Sequence, residues 1–192
     1  MSLPAQVAPR TDPGGSVAPA VVVVRLVRPG EHDAAGDLLE RAYGADYVLS
    51  DTYRESLHAV RERAAEHEVW VAVDHFVDAL LGTVATPRAG RTISELALPG
   101  ELDFRLLGVD PAARRRGIGR LLTEHVIALG RERGATRVVM NSGPQMLGAH
   151  RLYHSLGFRR LPERETRVVE AGTLLAFGLD LDLDRNHHRT ES

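Results

Sequence analysis

Arg114-Arg115-Arg116-Gly117-Ile118-Gly119-Arg120 packs four guanidinium groups around two glycines. Guanidinium groups fork onto phosphate oxygens. Glycines remove the side chains that would hold an anion away from backbone N–H groups. The run follows a strand-like Leu107-Gly108-Val109 and a turn-forming Asp110-Pro111, and it precedes a helical stripe. A helix that begins there presents unpaired N–H groups and a partial positive charge. Strand, turn, glycines and helix start together suit a pyrophosphate. By themselves the arginines would read as a solvated charge run or an RNA contact. A dinucleotide fingerprint fits less well, because Gly-x-Gly-x-x-Gly is not completed: Leu122 stands where its third glycine would be.

The flanking pattern supplies the elements that must hold this segment. Val21–Val27 reads as a strand ending at Pro29-Gly30. Asp33 can cap a helix with Ala34, Leu38, Leu39 and Ala42 on its apolar face, and a second helix is expected over 51–66. Val69–Val73 and Leu80–Thr86 read as strands joined by a tight turn, followed by a loop over 88–100. Leu102–Val109 is the next strand, with Glu101, Asp103, Arg105 and Leu107 alternating onto one side. A long helix is expected over Ile118–Glu132 with Gly134 closing it, then a strand over Thr136–Met140. A helix over Gln145–Leu156 stops at Gly157, and a last pair of strands includes Thr173–Leu181. The order is that of an α/β domain around one sheet. Residues 1–20 read as a disordered tail, 21–183 as one domain, and 184–192, with His187 and His188, as a flexible tail.

Composition excludes several chemistries. The 192 residues carry 24 basic side chains, all of them Arg, and no Cys. Without Lys there is no Schiff-base or Walker-type lysine. Without Cys there is no disulfide, thiolate metal site or cysteine nucleophile. Arg in place of Lys, among many Ala, Val and Gly, also reads as codon bias in a GC-rich genome. A net charge of −2 argues against a general nucleic-acid binder. No apolar run approaches a membrane span, and Pro19–Val24 is too short for a secretory core. The expectation is a soluble, cytoplasmic protein with no membrane or nucleic-acid partner and no metal. His125, His150 and His154 sit at helical positions without a ligand-spaced carboxylate, so packing or surface roles are expected, and Trp70 reads as core.

Arg114-x-x-Gly117-x-Gly119, a few residues after a Leu-x-Val strand end, resembles the acetyl-CoA signature of the GCN5-related N-acetyltransferases, the GNAT superfamily. Ala149-His-Arg-Leu-Tyr153-His-Ser-Leu-Gly157-Phe158 resembles that family's late helix and the strand after it. The two matches stand in the family's order, and the resemblance covers roughly 22–181. It implies a mixed, mostly antiparallel central sheet splayed at its central strands and flanked by about four helices. It implies acetyl-CoA as co-substrate and a small-molecule or peptide amine as acceptor. Leu107, Gly108 and Val109 would pair through their backbone with the pantetheine arm, Gly108 marking a bulge where the strands part. Arg114, Arg115, Arg116, Gly117, Ile118, Gly119 and Arg120 would hold the pyrophosphate, and Asn141 would contact cofactor or substrate. The Leu107 N–H maps to the oxyanion donor, Tyr153 to the acid that protonates the departing thiolate, and Asp103 to the carboxylate base, through a bridging water. Arg105 can pair with Asp103 and weaken it as a base. Met146 departs from the family, which often has Asn there.

Two other readings compete with N-acetyl transfer in a ternary complex. An acyl-CoA-binding regulatory module would release no thiolate with any amine. A nucleic-acid binder would show steep salt dependence. Acceptor choice falls to segments 43–58, 86–100 and 159–172, where Asp46, Asp51, Glu55, Glu95 and Glu163 face Arg88, Arg91, Arg159, Arg160 and Arg164 with no dominant sign. Dimerisation is common in the family, and no surface in the sequence is singled out for it.

Overall fold

The computed structural model describes residues 21–169 and 172–181. The segments expected as tails, 1–20 and 184–192 with His187 and His188, lie outside the described residues.

Strand β1 (Val22–Leu26) pairs antiparallel with β2 (Glu68–Asp74), which forms a hairpin with β3 (Ala79–Thr86). Between β1 and β2 run helices α1 (His32–Gly44), α2 (Asp51–His58) and α3 (Val60–Glu66). The single helix expected over 51–66 is therefore two. Ala59 adopts ψ 45°, outside the helical well, and ends one helix while starting the next. No Pro or Gly marks that break in the sequence. Leu57 and Val60 are fully buried on either side of it, so both short helices face the same core.

The strand expected over 102–109 changes partner midway. Its first half, β4 (Glu101–Asp103), runs parallel to β6 (Arg137–Ser142), with Asp103 opposite Val139. Its second half, β5 (Arg105–Val109), runs antiparallel to β3, with Val109 opposite Gly82. At the switch, the Phe104 N–H reaches the Val139 carbonyl at 3.3 Å. Beyond that bond β5 and β6 belong to different ladders, and the sheet opens between them.

Helix α4 (Ile118–Glu132) follows β5, and α5 (Leu147–Ser155) follows β6. Helix α4 buries Leu122, Val126 and Leu129 at helical spacing, and Gly134 takes φ +69° just past its end. Short strands β7 (Arg159–Arg160), β8 (Val168–Val169) and β9 (Gly172–Thr173) precede β10 (Leu175–Asp180). Strand β10 lies between β6 and β7, antiparallel to both. The result is a mixed α/β fold with a mostly antiparallel, splayed sheet and five α-helices among the described residues. No helix among the described residues is long and apolar enough to cross a membrane.

Candidate active site

The glycine turn sits where the sheet opens. Asp110 accepts from the Ala112 N–H at 2.9 Å and starts a turn of 3-10 helix over Pro111–Ala113. Arg115 and Gly117 then take positive φ, +62° and +78°. That double reversal aims the chain into α4, whose first bond is Leu121 N–H to the Gly117 carbonyl at 2.9 Å. Among the described residues, the N–H groups of Arg115, Arg116, Gly117, Ile118, Gly119 and Arg120 have no protein acceptor. A Cβ on Gly117 would meet nothing within 4 Å, so the space over the turn is open. A row of unpaired N–H groups at a helix start is an anion cradle.

The arginine side chains contribute less directly than their sequence position implies. Arg114 turns back to α1, forking onto Asp46 at 3.1 and 2.7 Å and reaching the Ala42 carbonyl at 2.9 Å. Arg116 faces Asp74 at 3.6 Å, and Arg120 bonds Glu124 and Ser155 at 3.1 and 2.9 Å. Arg115 has no carboxylate partner among the described residues. The unpaired backbone N–H groups are thus the freest donors at the turn, while Arg114 fastens the loop to α1.

The bulge falls one step earlier than Gly108. Thr83 pairs with Gly108 and Ala85 with Arg105, so Leu106 and Leu107 together oppose Val84. Leu106 takes φ +53°, a left-handed conformation unusual for a branched side chain. Gly108 serves close packing instead: a Cβ there would lie 3.0 Å from Leu39 Cδ2 and 3.3 Å from Ala42 Cβ. The smallness of Gly108 lets α1 press against β5. The bulge also breaks the alternation expected along this strand, so Leu107 is not bound to share a side with Asp103.

Tyr153 lies on the other wall of the opening. Its buried ring packs against Phe104, Phe158 and Phe177, with centroids 6.3, 5.8 and 5.8 Å away. Its hydroxyl has no hydrogen-bond partner among the described residues, and burial pushes its pKa well up, so it stays protonated. Asn141 on β6 has a buried Nδ2 with no partner. A buried, unpaired amide is costly and marks a place for a ligand acceptor.

Asp103 is placed otherwise than a base requires. It is fully buried, and its two oxygens accept from the Ile93 N–H at 3.0 Å and the Ser94 hydroxyl at 2.6 Å. It holds the 88–100 loop against β4. The expected ion pair with Arg105 is not formed among the described residues; the carboxylate turns to Ile93 and Ser94 instead.

Two residues gain importance that the sequence did not signal. Tyr43, one helical turn past Leu39 on α1, donates its hydroxyl to the Leu107 carbonyl at 3.2 Å. Ser94 supplies the hydroxyl to Asp103. The histidines pack as expected of such positions. His150 is buried on Phe177, bonded to Ser142 Oγ at 3.1 Å, and burial lowers its pKa. His125 stacks edge-on with Trp70, which is half-buried. Met146 accepts from Ser142 through its sulfur at 3.6 Å. No cluster of three metal-ligating side chains occurs among the described residues.

A family model described as the acetyltransferase (GNAT) domain matches residues 65–160, half of the chain. The chain is 30% identical to mycothiol acetyltransferase of Cellulomonas flavigena, over 77% of this chain and 43% of that protein. It is 36% identical to N-acetylaspartate synthetase of Danio rerio, over 38% of this chain and 26% of that protein. It thus spans less than half the length of these curated relatives. Among solved structures, a GNAT-family acetyltransferase of Staphylococcus aureus superposes with TM-score 0.65 at 13% identity, covering 84% of this chain and all of that one. The ribosomal-protein-S18-alanine N-acetyltransferase of Escherichia coli gives 0.62 at 18% identity, over 87% and 98%. The PaiA N-acetyltransferase of Thermoplasma acidophilum, solved with coenzyme A, gives 0.64 at 12% identity, over 84% and 99%. At these identities the structural likeness is one of fold. The family model spans the splayed strands, the bulge, the glycine turn and Tyr153, and with half of the chain matched the protein belongs to the GNAT acetyltransferase family.

Proposed function

We propose that the protein is an acetyl-CoA-dependent N-acetyltransferase that moves an acetyl group to an amine by direct attack in a ternary complex. The observation that carries this reading is the row of N–H groups from Arg115 to Arg120 without acceptors, beside the opening between β5 and β6. That row fits a pyrophosphate, and the unpaired Asn141 Nδ2 fits a carbonyl further along the same ligand. Bound there, acetyl-CoA supplies an activated thioester.

The chain's own groups then have separable tasks. The N–H groups of the turn bind the pyrophosphate, and the β5 edge at Leu107–Val109 orients the pantetheine arm as an added strand. The Leu107 N–H donates to the oxygen that gains charge when the amine attacks the thioester carbon. The bulge at Leu106–Leu107 aims that donor out of the ladder. Tyr153 donates to the sulfur as the C–S bond breaks. No carboxylate is free to act as base at Asp103, so the amine loses its proton to water. With no Cys in the chain, no acetyl-cysteine intermediate forms.

The test is thiolate release from acetyl-CoA with a panel of amines, beside calorimetric titration of CoA. Binding with amine-dependent release supports the reading. Tight CoA binding without release from any amine would instead mean a regulatory acyl-CoA-binding module.

A further inference from the structure

The acceptor segments carry no dominant sign in the sequence, and several of their charges are paired locally in the fold. Arg114 takes Asp46, Arg160 takes Glu165 at 2.6 Å, and Arg164 takes Glu101 at 2.6 Å. Beside the bulge three cations are left over. Arg63, Arg105 and Arg167 form no ion pair among the described residues. Arg105 opens β5, two residues before Leu107, so its Cα is within about 7 Å of the proposed oxyanion donor. Arg63 donates one nitrogen to the Ser56 carbonyl, while its Nη1 is buried without any partner. Tyr43 and Tyr53, edge to face at 6.0 Å, complete the wall, and Tyr43 ties it to Leu107. Burial lowers the pKa of both Arg63 and Arg105, Arg63 feels Arg105, and Arg105 feels Arg167. Asp103 is the carboxylate that Arg105 senses, and its oxygens are spent on Ile93 and Ser94.

Like charges gathered without ion-pair partners, two of them half-buried and Arg167 exposed, repel one another, with exposed Glu62 offsetting this only in part at Arg63, and a buried guanidinium nitrogen without an acceptor is costly. An oxyanion that enters with the acceptor relieves both. We infer that the acceptor amine carries an oxyanion, a carboxylate or a phosphate a few bonds from its nitrogen, and that Arg63 and Arg105, with Arg167 at the rim, bind it. This rests on the acetyltransferase reading and names its acceptor class. The forked guanidinium of Arg105 suits an anion held at fixed orientation, which sets the amine toward the Leu107 end of the strand. A cationic polyamine or a neutral alkylamine finds no counter-charge there.

The experiment compares kcat/KM for matched acceptors: amino acids, their amides, and phosphoethanolamine against ethanolamine. Wild-type protein should favour the anionic member by about ten- to a hundredfold, the value of a charge-assisted bond. The ratio should collapse toward one in Arg105→Gln and Arg63→Gln, recover in part in Arg105→Lys, and stay unchanged in Arg131→Gln at the exposed end of α4. Preference within the carboxylate or the phosphate pair identifies the source of the oxyanion. A wild-type ratio near one in both pairs, or a ratio untouched in folded Arg105→Gln, overturns the proposal. If no amine is acetylated, the enzyme reading fails by itself. The anion site is then judged by melting temperature with N,N-dimethylglycine. A rise in wild type that Arg105→Gln loses keeps the site, and no rise removes it.

Discussion

The hydroxyl of Tyr43 lies 3.2 Å from the carbonyl of Leu107 and donates to it, so the first helix is fastened to the bulge in the central strand. The bond joins α1 to the residue whose N–H faces the reacting carbonyl in the proposed mechanism. The left-handed Leu106 beside it stores strain that neighbouring contacts must hold. Tyr43→Phe keeps the ring and its packing on Tyr53 but removes the donor. Stability should fall by about 1 kcal/mol. Turnover should fall more than that loss implies, with KM for acetyl-CoA little changed, as steady-state kinetics beside a denaturant melt would show. Unchanged kcat would mean the bulge keeps its shape without this bond.

Tyr153 gives the opposite balance. Its hydroxyl has no protein partner, so Tyr153→Phe removes a polar atom from an aromatic cluster without orphaning another. The variant should be as stable as wild type or slightly more so. If the hydroxyl donates to the departing sulfur, kcat should drop by ~10²-fold, the low end for acid catalysis. A poorer acyl leaving group should widen the gap. Equal turnover in the two proteins would remove Tyr153 from the chemistry.

Asp103 should behave as a clamp. Asp103→Asn places an amide where two donors, Ile93 N–H and Ser94 Oγ, need acceptors. One donor loses its partner in a fully buried site, at a cost of about 1–3 kcal/mol. The 88–100 loop should become more open to proteolysis. The pH–rate profile should keep its shape, because in the proposed mechanism water, not this residue, takes the amine's proton. Ser94→Ala should give a smaller loss of the same kind. A profile whose acidic limb vanishes in Asp103→Asn would restore it as the base.

The contrast between Asp103 and the glycine turn shows what one chain of letters carries. The bounds of α4 were legible because Gly117 at its start and Gly134 after its end are local signals, and the stripe through Leu122 and Val126 has a clear period. The turn itself was legible for the same reason. The partner switch at Phe104 was not, since it depends on β6 and β3 competing for one strand, and neither is near it in sequence. The family resemblance therefore points to Gly108 for the bulge, whereas its smallness answers to Leu39 and Ala42. By position the arginines at 114, 116 and 120 suit a pyrophosphate, but Asp46, Asp74 and Glu124 capture their side chains. Only Glu124 is a helical neighbour; Asp46 and Asp74 come from distant segments.

Acid should unfasten the start of α1. Glu31 receives hydrogen bonds from both terminal nitrogens of Arg25, at 2.8 and 2.7 Å, and from the Arg28 N–H at 2.8 Å. These hold its carboxyl at about 2, below its ordinary 4.5. A carboxylate depressed in the fold contributes stability above its unfolded value and loses it as pH falls through the folded one. The contribution should be complete above about pH 4.5 and fade toward pH 2. It is on the order of 1–2 kcal/mol after solvent screening. Glu31→Gln should lower stability near neutral pH by that amount and match wild type near pH 2, measured by denaturant melts across the range. Parallel curves for the two proteins at every pH would place the acid sensitivity elsewhere.

The glycine turn offers the cleanest separation of binding from folding. Gly117 takes φ +78°, and the space over it is open, so Gly117→Ala meets strain but no clash. It should cost about 1 kcal/mol of stability through that backbone alone. Gly117→Glu bears a similar backbone cost and adds a carboxylate over the N–H groups of Arg115 to Arg120. Its negative charge competes for those donors and repels a pyrophosphate. CoA affinity should therefore fall far more in Gly117→Glu than in Gly117→Ala, by tenfold or beyond for about 1.4 kcal/mol of repulsion. High salt should narrow the difference, since screening weakens charge more than shape. Calorimetric titration of both variants at two ionic strengths measures it. Equal CoA affinity in the two would mean that the turn does not meet the phosphates.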